Sequence, residues 1–371
     1  MRYLFICIFL PFCSLAKKNI LFIAVDDLKP SLGVYGDKFA VTPNIDKLAS
    51  LGTTFTNAHV QQAICAPSRV SLLTGLRPDL TEVWDLQTQM RNKNPYIITL
   101  PQYFKENGYS TVGMGKIFDN RSVDRKLDEL SWSMPYIRVD VDHSVHGNTI
   151  TGFQSPENKK ILSQIREKAT ADGVPQGKMW QYLRSKYKPS TESFDISDDG
   201  YVDGAMTLEA ISQLKKLSKK NEPFFLAVGY VKPHLPFVAP KKYWDLYNRD
   251  EISLAKYQKW ARGTVKLSYN NNGEMRSYTD IPDSFNENGL INENKQRELI
   301  HGYYACVSYV DAQIGKILNV LETNGMLDNT IVILWGDHGW HLGDHGQWAK
   351  HSNFEQATRS PLIIVDPDTK S

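Results

Sequence analysis

The apolar run from Asn19 to Val25 ends abruptly at Asp26-Asp27, and no other feature constrains the fold so tightly. The run is too short for a core helix and shows no polar face. It reads as a strand buried on both sides, the pattern of a parallel sheet covered by helices. Similar runs recur at Tyr109 to Met114, Phe224 to Val228 and Ile331 to Trp335, and Thr53 to Val60 is strand-like. Helical patterns lie between them. Pro43 to Ser50 carries Thr42 as a cap and Gly52 as a stop, Leu100 to Glu106 ends at Asn107-Gly108, and residues 298–323 form the longest amphipathic stretch. Strands alternating with helices predict an α/β fold with a mostly parallel central sheet. At 371 residues the chain is long enough for one large domain of this kind. Residues 119–200 and 250–297 are polar, with few periodic apolar positions. They are expected to be long insertions over the functional face rather than separate domains.

Open α/β sheets bind ligands beyond the carboxyl ends of their strands. Two tips here carry metal-type ligands, Asp26 with Asp27 and Asp337 with His338. Carboxylates gathered in one place repel unless a cation lies between them. An oxygen-rich set favours Ca2+, with Mg2+ second, over Zn2+. Taken alone, Asp26-Asp27 also fits a solvated turn before Lys29-Pro30. The stretch from His338 to His351 fits a zinc loop by composition, yet no second cysteine pair or spaced histidine set accompanies it. Lys116 follows a third tip in Gly113-Met114-Gly115-Lys116. There the glycines admit a close backbone approach and the ammonium suits an anionic oxygen. His234, in Lys232-Pro233-His234, lies beyond the fourth tip and can donate a proton to a leaving oxygen. Lys350, in Trp348-Ala349-Lys350, offers a second cation over a substrate. Each lysine, taken alone, also fits an ordinary surface position.

Cys65-Ala66-Pro67-Ser68-Arg69 places a thiol just before a short helix in which Pro67 fits the first helical position. The helix N-terminus favours an anion beside Cys65, and Arg69 adds planar charged donors one turn on. The first residues point to the compartment. Arg2 precedes the apolar run Leu4 to Phe12, and Ser14-Leu15-Ala16 supplies small residues for cleavage. Residues 1–16 therefore read as a secretory signal peptide, too short for a membrane span, and no stable membrane insertion is expected. Of the 4 cysteines, Cys7 and Cys13 leave with that peptide. Cys306 joins the apolar face of the long helix, which argues against a Cys65–Cys306 disulfide. Cys65 is then a lone thiol in an exported chain, which requires a reason. Loss of Arg2 lowers the net charge from +2 to +1, which predicts neither a nucleic-acid groove nor a surface that coats polyanions.

The segment Cys65-Ala66-Pro67-Ser68-Arg69 matches the C-x-P-S-R signature of type I sulfatases, and the match extends through Thr42-Pro43-Asn44-Ile45-Asp46 and Leu73-Thr74-Gly75. Val25-Asp26-Asp27-Leu28, Lys232-Pro233-His234, Gly336-Asp337-His338-Gly339-Trp340 and Trp348-Ala349-Lys350 most resemble the iduronate-2-sulfatase branch. The resemblance runs from about Lys18 to the last residue. It implies an alkaline-phosphatase-like α/β/α sandwich, with residues 17–371 as the catalytic domain. It also implies an exported enzyme (secreted, periplasmic or lysosomal) that hydrolyses sulfuric esters. The implied substrate is a sulfated saccharide, such as a 2-O-sulfated uronic acid of a glycosaminoglycan or an algal polysaccharide. A separate formylglycine-generating enzyme would oxidise Cys65 to Cα-formylglycine (3-oxoalanine), whose hydrate attacks sulfur and then expels sulfate by elimination. Carried over by position, Asp26, Asp27, Asp337, His338 and the modified Cys65 hold Ca2+, and Arg69 steadies the hydrate. Lys116 and Lys350 bind sulfate oxygens, and His234 protonates the leaving oxygen. Phosphate or phosphonate ester hydrolysis within the same superfamily is one competing reading. A catalytically impaired binder of sulfated glycans is the other.

Two departures from the family pattern stand out. The branch places a histidine shortly after the lysine, in a Gly-Lys-aliphatic-aromatic-His pattern, whereas Gly115-Lys116-Ile117-Phe118 is followed by Asp119. Asp119, or His143 or His146 from the insertion, then has to take the proton in the elimination step. Family members also continue past the position of Ser371 into a smaller C-terminal subdomain that helps wall the substrate pocket. That subdomain is expected to be missing from a truncated chain.

Overall fold

The computed structural model describes residues 17–138, 152–282, 285 and 291–369. The expected signal peptide, with Cys7 and Cys13, and the candidate bases His143 and His146 lie outside the described residues. Six strands form the main sheet: β1 (Asn19–Val25), β2 (Thr53–Thr54), β3 (Ser110–Gly115), β4 (Phe224–Tyr230), β5 (Thr330–Gly336) and β6 (Leu362–Val365). Their order across the sheet is β2-β6-β5-β1-β4-β3. The four strands β5, β1, β4 and β3 run parallel, and β6 is antiparallel to both of its neighbours. The longer helices are α1 (Pro43–Ala49), α2 (Cys65–Thr74), α3 (Leu100–Glu106), α4 (Pro156–Ala171), α5 (Gln176–Lys186), α6 (Val202–Leu217) and α7 (Glu293–Thr323). No helix among the described residues is long and apolar enough to cross a membrane.

Alternation along each strand sends successive side chains to opposite faces, and both faces of this sheet are covered. Leu21, Ile23 and Val25 pack with Leu226, Val228 and Leu334 against Met206 and Leu214 of α6 and Val310 and Ile314 of α7. Ile20, Phe22 and Ala24 pack with Phe225 and Ala227 against Val70 and Leu73 of α2. This is the expected α/β/α sandwich. Cys306 lies in the first of these cores, and both Cys65 and Cys306 are free and buried, without a disulfide.

Three local expectations change. Thr53 to Val60 pairs only through Thr53–Thr54, with an isolated bridge from His59 to Arg359. A turn at Thr56-Asn57 interrupts the ladder between them. The helix after Ile64 starts at Cys65, so Pro67 is its third residue and not its first. Proline is still tolerated there, because the first four N–H groups of a helix have no partner within it. Finally, residues 119–200 contain two ordered helices. Ser155 caps α4, accepting the Asn158 N–H at 3.2 Å, and Pro156 opens it. Ala169, Met179 and Leu183 form a small core between α4 and α5, separate from the main one.

Register aligns the strand tips. Val25 is level with Tyr230 on one side and Gly336 on the other, and Gly115 is level with Gly229. The Lys116 N–H bonds the Gly229 carbonyl at 2.7 Å. A Cβ on Gly229 would lie 2.3 Å from the Lys116 carbonyl carbon, and backbone cannot swing aside. Gly229→Ala is expected to destabilise the protein by roughly 3 kcal/mol in chemical denaturation. Gly177→Ala on α5, where a Cβ meets nothing within 4 Å, is the control, with a change below about 1 kcal/mol. Equal midpoints for the two variants would refute the close-packing argument.

Candidate active site

The loops beyond β1, β3, β4 and β5 converge on the N-terminus of α2. Asp26 and Asp27 would diverge if β1 simply continued. Asp27 instead takes a left-handed backbone (φ 59°), which aspartate tolerates, and both carboxylates reach one cluster. Tyr303 of α7 fixes this tip. Its hydroxyl donates to the Asp27 carbonyl at 2.8 Å and accepts the Lys29 N–H at 2.9 Å. Asp337, just past β5, accepts the Asp27 N–H at 2.9 Å.

Arg69 is wholly buried and joins three tips. Its Nε bonds Asp337 at 3.0 Å and its Nη2 bonds Asp26 at 3.0 Å, while Nη1 donates to the Ile117 carbonyl at 3.2 Å and to that of Lys116. Only a planar fork of donors spans such a set. The Ser68 hydroxyl donates to the Asp337 carbonyl. Cys65, the first residue of α2, is buried, with Sγ 3.3 Å from His338 Nε2 and 3.4 Å from Lys116 Nζ. Nδ1 of His338 donates to the Gly339 carbonyl at 3.0 Å. That bond leaves Nε2 as the ligating nitrogen, 3.4 Å from Asp27 and 3.6 Å from Asp337.

Two lysines rest on the carboxylates. Lys116 Nζ lies 2.5 Å from Asp26, and Lys350 Nζ lies 2.9 Å from Asp27. His234 donates from Nδ1 to the Leu235 carbonyl at 2.7 Å, which turns Nε2 toward Glu274 at 3.1 Å and Asp27 at 3.8 Å. All nine candidate residues therefore meet in one cluster.

Burial alone would raise the Asp26 carboxyl, but Lys116 and Arg69 hold it well below the usual range. Burial keeps Asp337 above its ordinary value despite Arg69, and the neighbouring Asp26 adds to this. Burial also pushes the Cys65 thiol well up, reinforced by Asp26 and opposed by Lys116 and Lys350. Like-charge crowding of this kind is relieved by a bound cation. Asp26, Cys65, Asp337 and His338 offer ligand atoms all within 4.8 Å of one another, and so do Asp26, Asp27, Cys65 and His234. Carboxylates supply two of the four ligand atoms in each set, and the two sets together bring in three of them (Asp26, Asp27 and Asp337), so the donors fit a hard divalent ion.

Two functional neighbours, Glu274 and Asp203, had no motif to mark them. Glu274, from the expected 250–297 insertion, sits 3.2 Å from Lys350 as well as 3.1 Å from His234. Burial opposes its ionisation, yet Lys350 and His234 hold its carboxyl well below the usual range. Asp203 accepts the Val231 and Lys232 N–H groups at 2.9 and 2.8 Å, and Lys232 Nζ bonds the Pro236 carbonyl at 2.8 Å and the His234 carbonyl at 2.5 Å. Together they set the loop that presents His234. Asp119, the suggested base, pairs both oxygens with Arg121 at 2.8 Å and lies 3.9 Å from Lys116. Burial would raise it, but Arg121 and Lys116 hold it below its ordinary value, which makes it a weak base.

A family model described as Sulfatase matches residues 18–371. Iduronate 2-sulfatases of Mus musculus and Homo sapiens are 41% and 39% identical over 354 residues, which is 94% of this chain. The chain spans 59% and 60% of their lengths. A sulfatase of Formosa agariphila is 33% identical over 365 residues, covering 95% of this chain and 64% of that protein. Among solved structures, a protein in complex with its substrate D-glucosamine-2-N,6-O-disulfate superposes with a TM-score of 0.65 at 22% identity, over 95% of this chain and 72% of that one. The phosphonate monoester hydrolase of Agrobacterium radiobacter gives 0.62 at 21% identity, over 95% and 68%. These two likenesses establish the alkaline-phosphatase-like fold. With its Cys65 signature, its converging strand tips and a family match along almost its whole length, the chain belongs to the sulfatase family.

Proposed function

We propose that this chain hydrolyses the sulfate ester of a sulfated sugar at residue 65, with a 2-O-sulfated uronic acid as the first candidate substrate. The observation that carries the reading is the setting of Cys65. It is buried at the start of α2, within bonding reach of Lys116 and His338. Sulfatases work with a formylglycine and a divalent metal. Here Cys65 would be the oxidised residue, modified by a formylglycine-generating enzyme during export. Asp26, Asp27, Asp337, His338 and residue 65 would hold Ca2+. When present, the oxidised side chain and the ion supply a nucleophilic oxygen and neutralise charge at sulfur.

The remaining groups divide the work. Lys116 and Lys350 bind sulfate oxygens, where charge shifts in the transition state. His234 Nε2 donates a proton to the departing sugar oxygen, and Glu274 orients the ring. Arg69 holds Asp26 and Asp337 at fixed separation, so the cluster needs little reorganisation. The names of the mouse and human relatives support a uronate-bearing substrate.

The test is turnover by protein made together with a formylglycine-generating enzyme. Sulfate release from an aryl sulfate should exceed phosphate release from the matching aryl phosphate, be lost on chelation and return with Ca2+. A faster phosphate reaction would shift the assignment to phosphoester hydrolysis. No release of either, with an unmodified thiol at residue 65, would leave a glycan binder.

A further inference from the structure

A cavity of about 1140 Å3 lies beside the reaction centre and shares Lys116 with it. It exceeds the usual range for a small-molecule pocket. Its outer wall comes from α4, α5 and the segments that flank them. Arg125, Arg138, Lys159, Arg166, Arg184 and Lys188 all line it. Among the described residues none of these six pairs with a carboxylate. Lys159 bonds the Gln154 amide oxygen at 2.9 Å, Lys188 bonds the Ser277 hydroxyl at 2.6 Å, and Arg184 lies over the Trp180 ring at 5.8 Å. The lining acids, Asp124 and Asp203, already accept backbone N–H groups. Burial, with Arg184 nearby, lowers Lys188 to about 8. A chain with a net charge of only +2 has thus gathered six cations, unpaired with carboxylates among the described residues, in a single concave surface, which focuses field on anions. Trp180 is 59% exposed on the same wall. An exposed indole face suits the C–H face of a sugar ring.

We propose that this cleft is a second anion subsite, which binds acidic sugars adjoining the scissile unit of a sulfated oligosaccharide. The proposal rests on the sulfatase reading and extends it from a single sugar to a polyanionic oligomer. Lys116 touches both the scissile sulfate and the neighbouring residue's anions.

Arg166 and Arg184 are exposed on α4 and α5, so the double variant R166A/R184A should fold. Its kcat/KM on a heparin tetrasaccharide is expected to fall about tenfold, mainly through KM, with turnover of an aryl sulfate unchanged. The variant K215A/K219A, which removes exposed charges on and just after α6 outside the cleft, is expected to match wild type on both substrates. An unchanged R166A/R184A, or an equal loss in K215A/K219A, overturns the subsite. If wild type hydrolyses neither substrate, the sulfatase reading fails separately. Fluorescence titration of wild type and R166A/R184A with the tetrasaccharide then decides the subsite alone, with tenfold weaker binding expected for the variant and equal binding overturning it. Displacement by an RNA oligomer of the same charge with equal affinity would overturn the assignment to a saccharide.

Discussion

Cys65→Ser is expected to yield a folded protein whose steady-state sulfate release falls at least about 10⁴-fold. Folding should survive because the change is nearly isosteric. The partners of Sγ, His338 Nε2 at 3.3 Å and Lys116 Nζ at 3.4 Å, can both bond a hydroxyl. Chemistry should start and then stop. The serine oxygen attacks sulfur and releases its proton to solvent, the bond from sulfur to the leaving oxygen breaks, and the alcohol departs with the proton from His234. The sulfo group stays on residue 65. That ester is anionic, so attack by water is slow, and its carbon bears no second hydroxyl to expel sulfate. Mass spectrometry after incubation with an aryl sulfate should therefore show one added SO3 group on the variant peptide that spans position 65, together with a single-turnover burst of phenol. Sustained turnover in this variant would remove residue 65 as the nucleophile. An active wild-type enzyme with an intact thiol would remove the oxidation step.

Some of this site is legible without coordinates, for definite reasons. Strands buried on both faces must be apolar throughout, so β1, β4 and β5 stand out, and the charges that end them mark the carboxyl edge of the sheet. Leu100 to Glu106 is readable because its caps are local, with Thr99 accepting the Gln102 N–H at 3.2 Å. Glu274 is not readable. It lies in a single helical turn within a polar stretch, and it meets His234 and Lys350 only through the tertiary fold. Asp203 and Tyr303 belong to amphipathic helices whose periodicity explains them as ordinary positions, and their contacts to the β4 and β1 tips are long-range. The cationic cleft is hidden for a similar reason. Its charges are scattered from Arg125 to Lys188, and they share a wall only after α4 and α5 fold onto each other.

Arg69→Ala is expected to lose about 4 kcal/mol of stability and at least about 10³-fold in kcat/KM. The guanidinium is buried and pairs with two buried carboxylates, each at 3.0 Å. Alanine would leave Asp337 without its arginine, Asp26 with Lys116 as its remaining cation, and the Lys116 and Ile117 carbonyls without the Arg69 donor. Breaking a buried pair from one side costs far more than the pair gains when intact. Arg69→Lys keeps one charge but cannot span both acids, so a loss of roughly 2 kcal/mol is expected. Chemical denaturation at constant pH should rank the proteins wild type, Arg69→Lys, Arg69→Ala. A divalent ion bound between the same carboxylates stabilises the folded state through its affinity, and it matters more when arginine no longer screens them. Saturating Ca2+ should therefore recover a larger share of stability in Arg69→Ala than it adds to wild type. An equal shift in both proteins would mean that the ion does not sit between Asp26 and Asp337, whereas no shift in either would argue against Ca2+ as the resident metal.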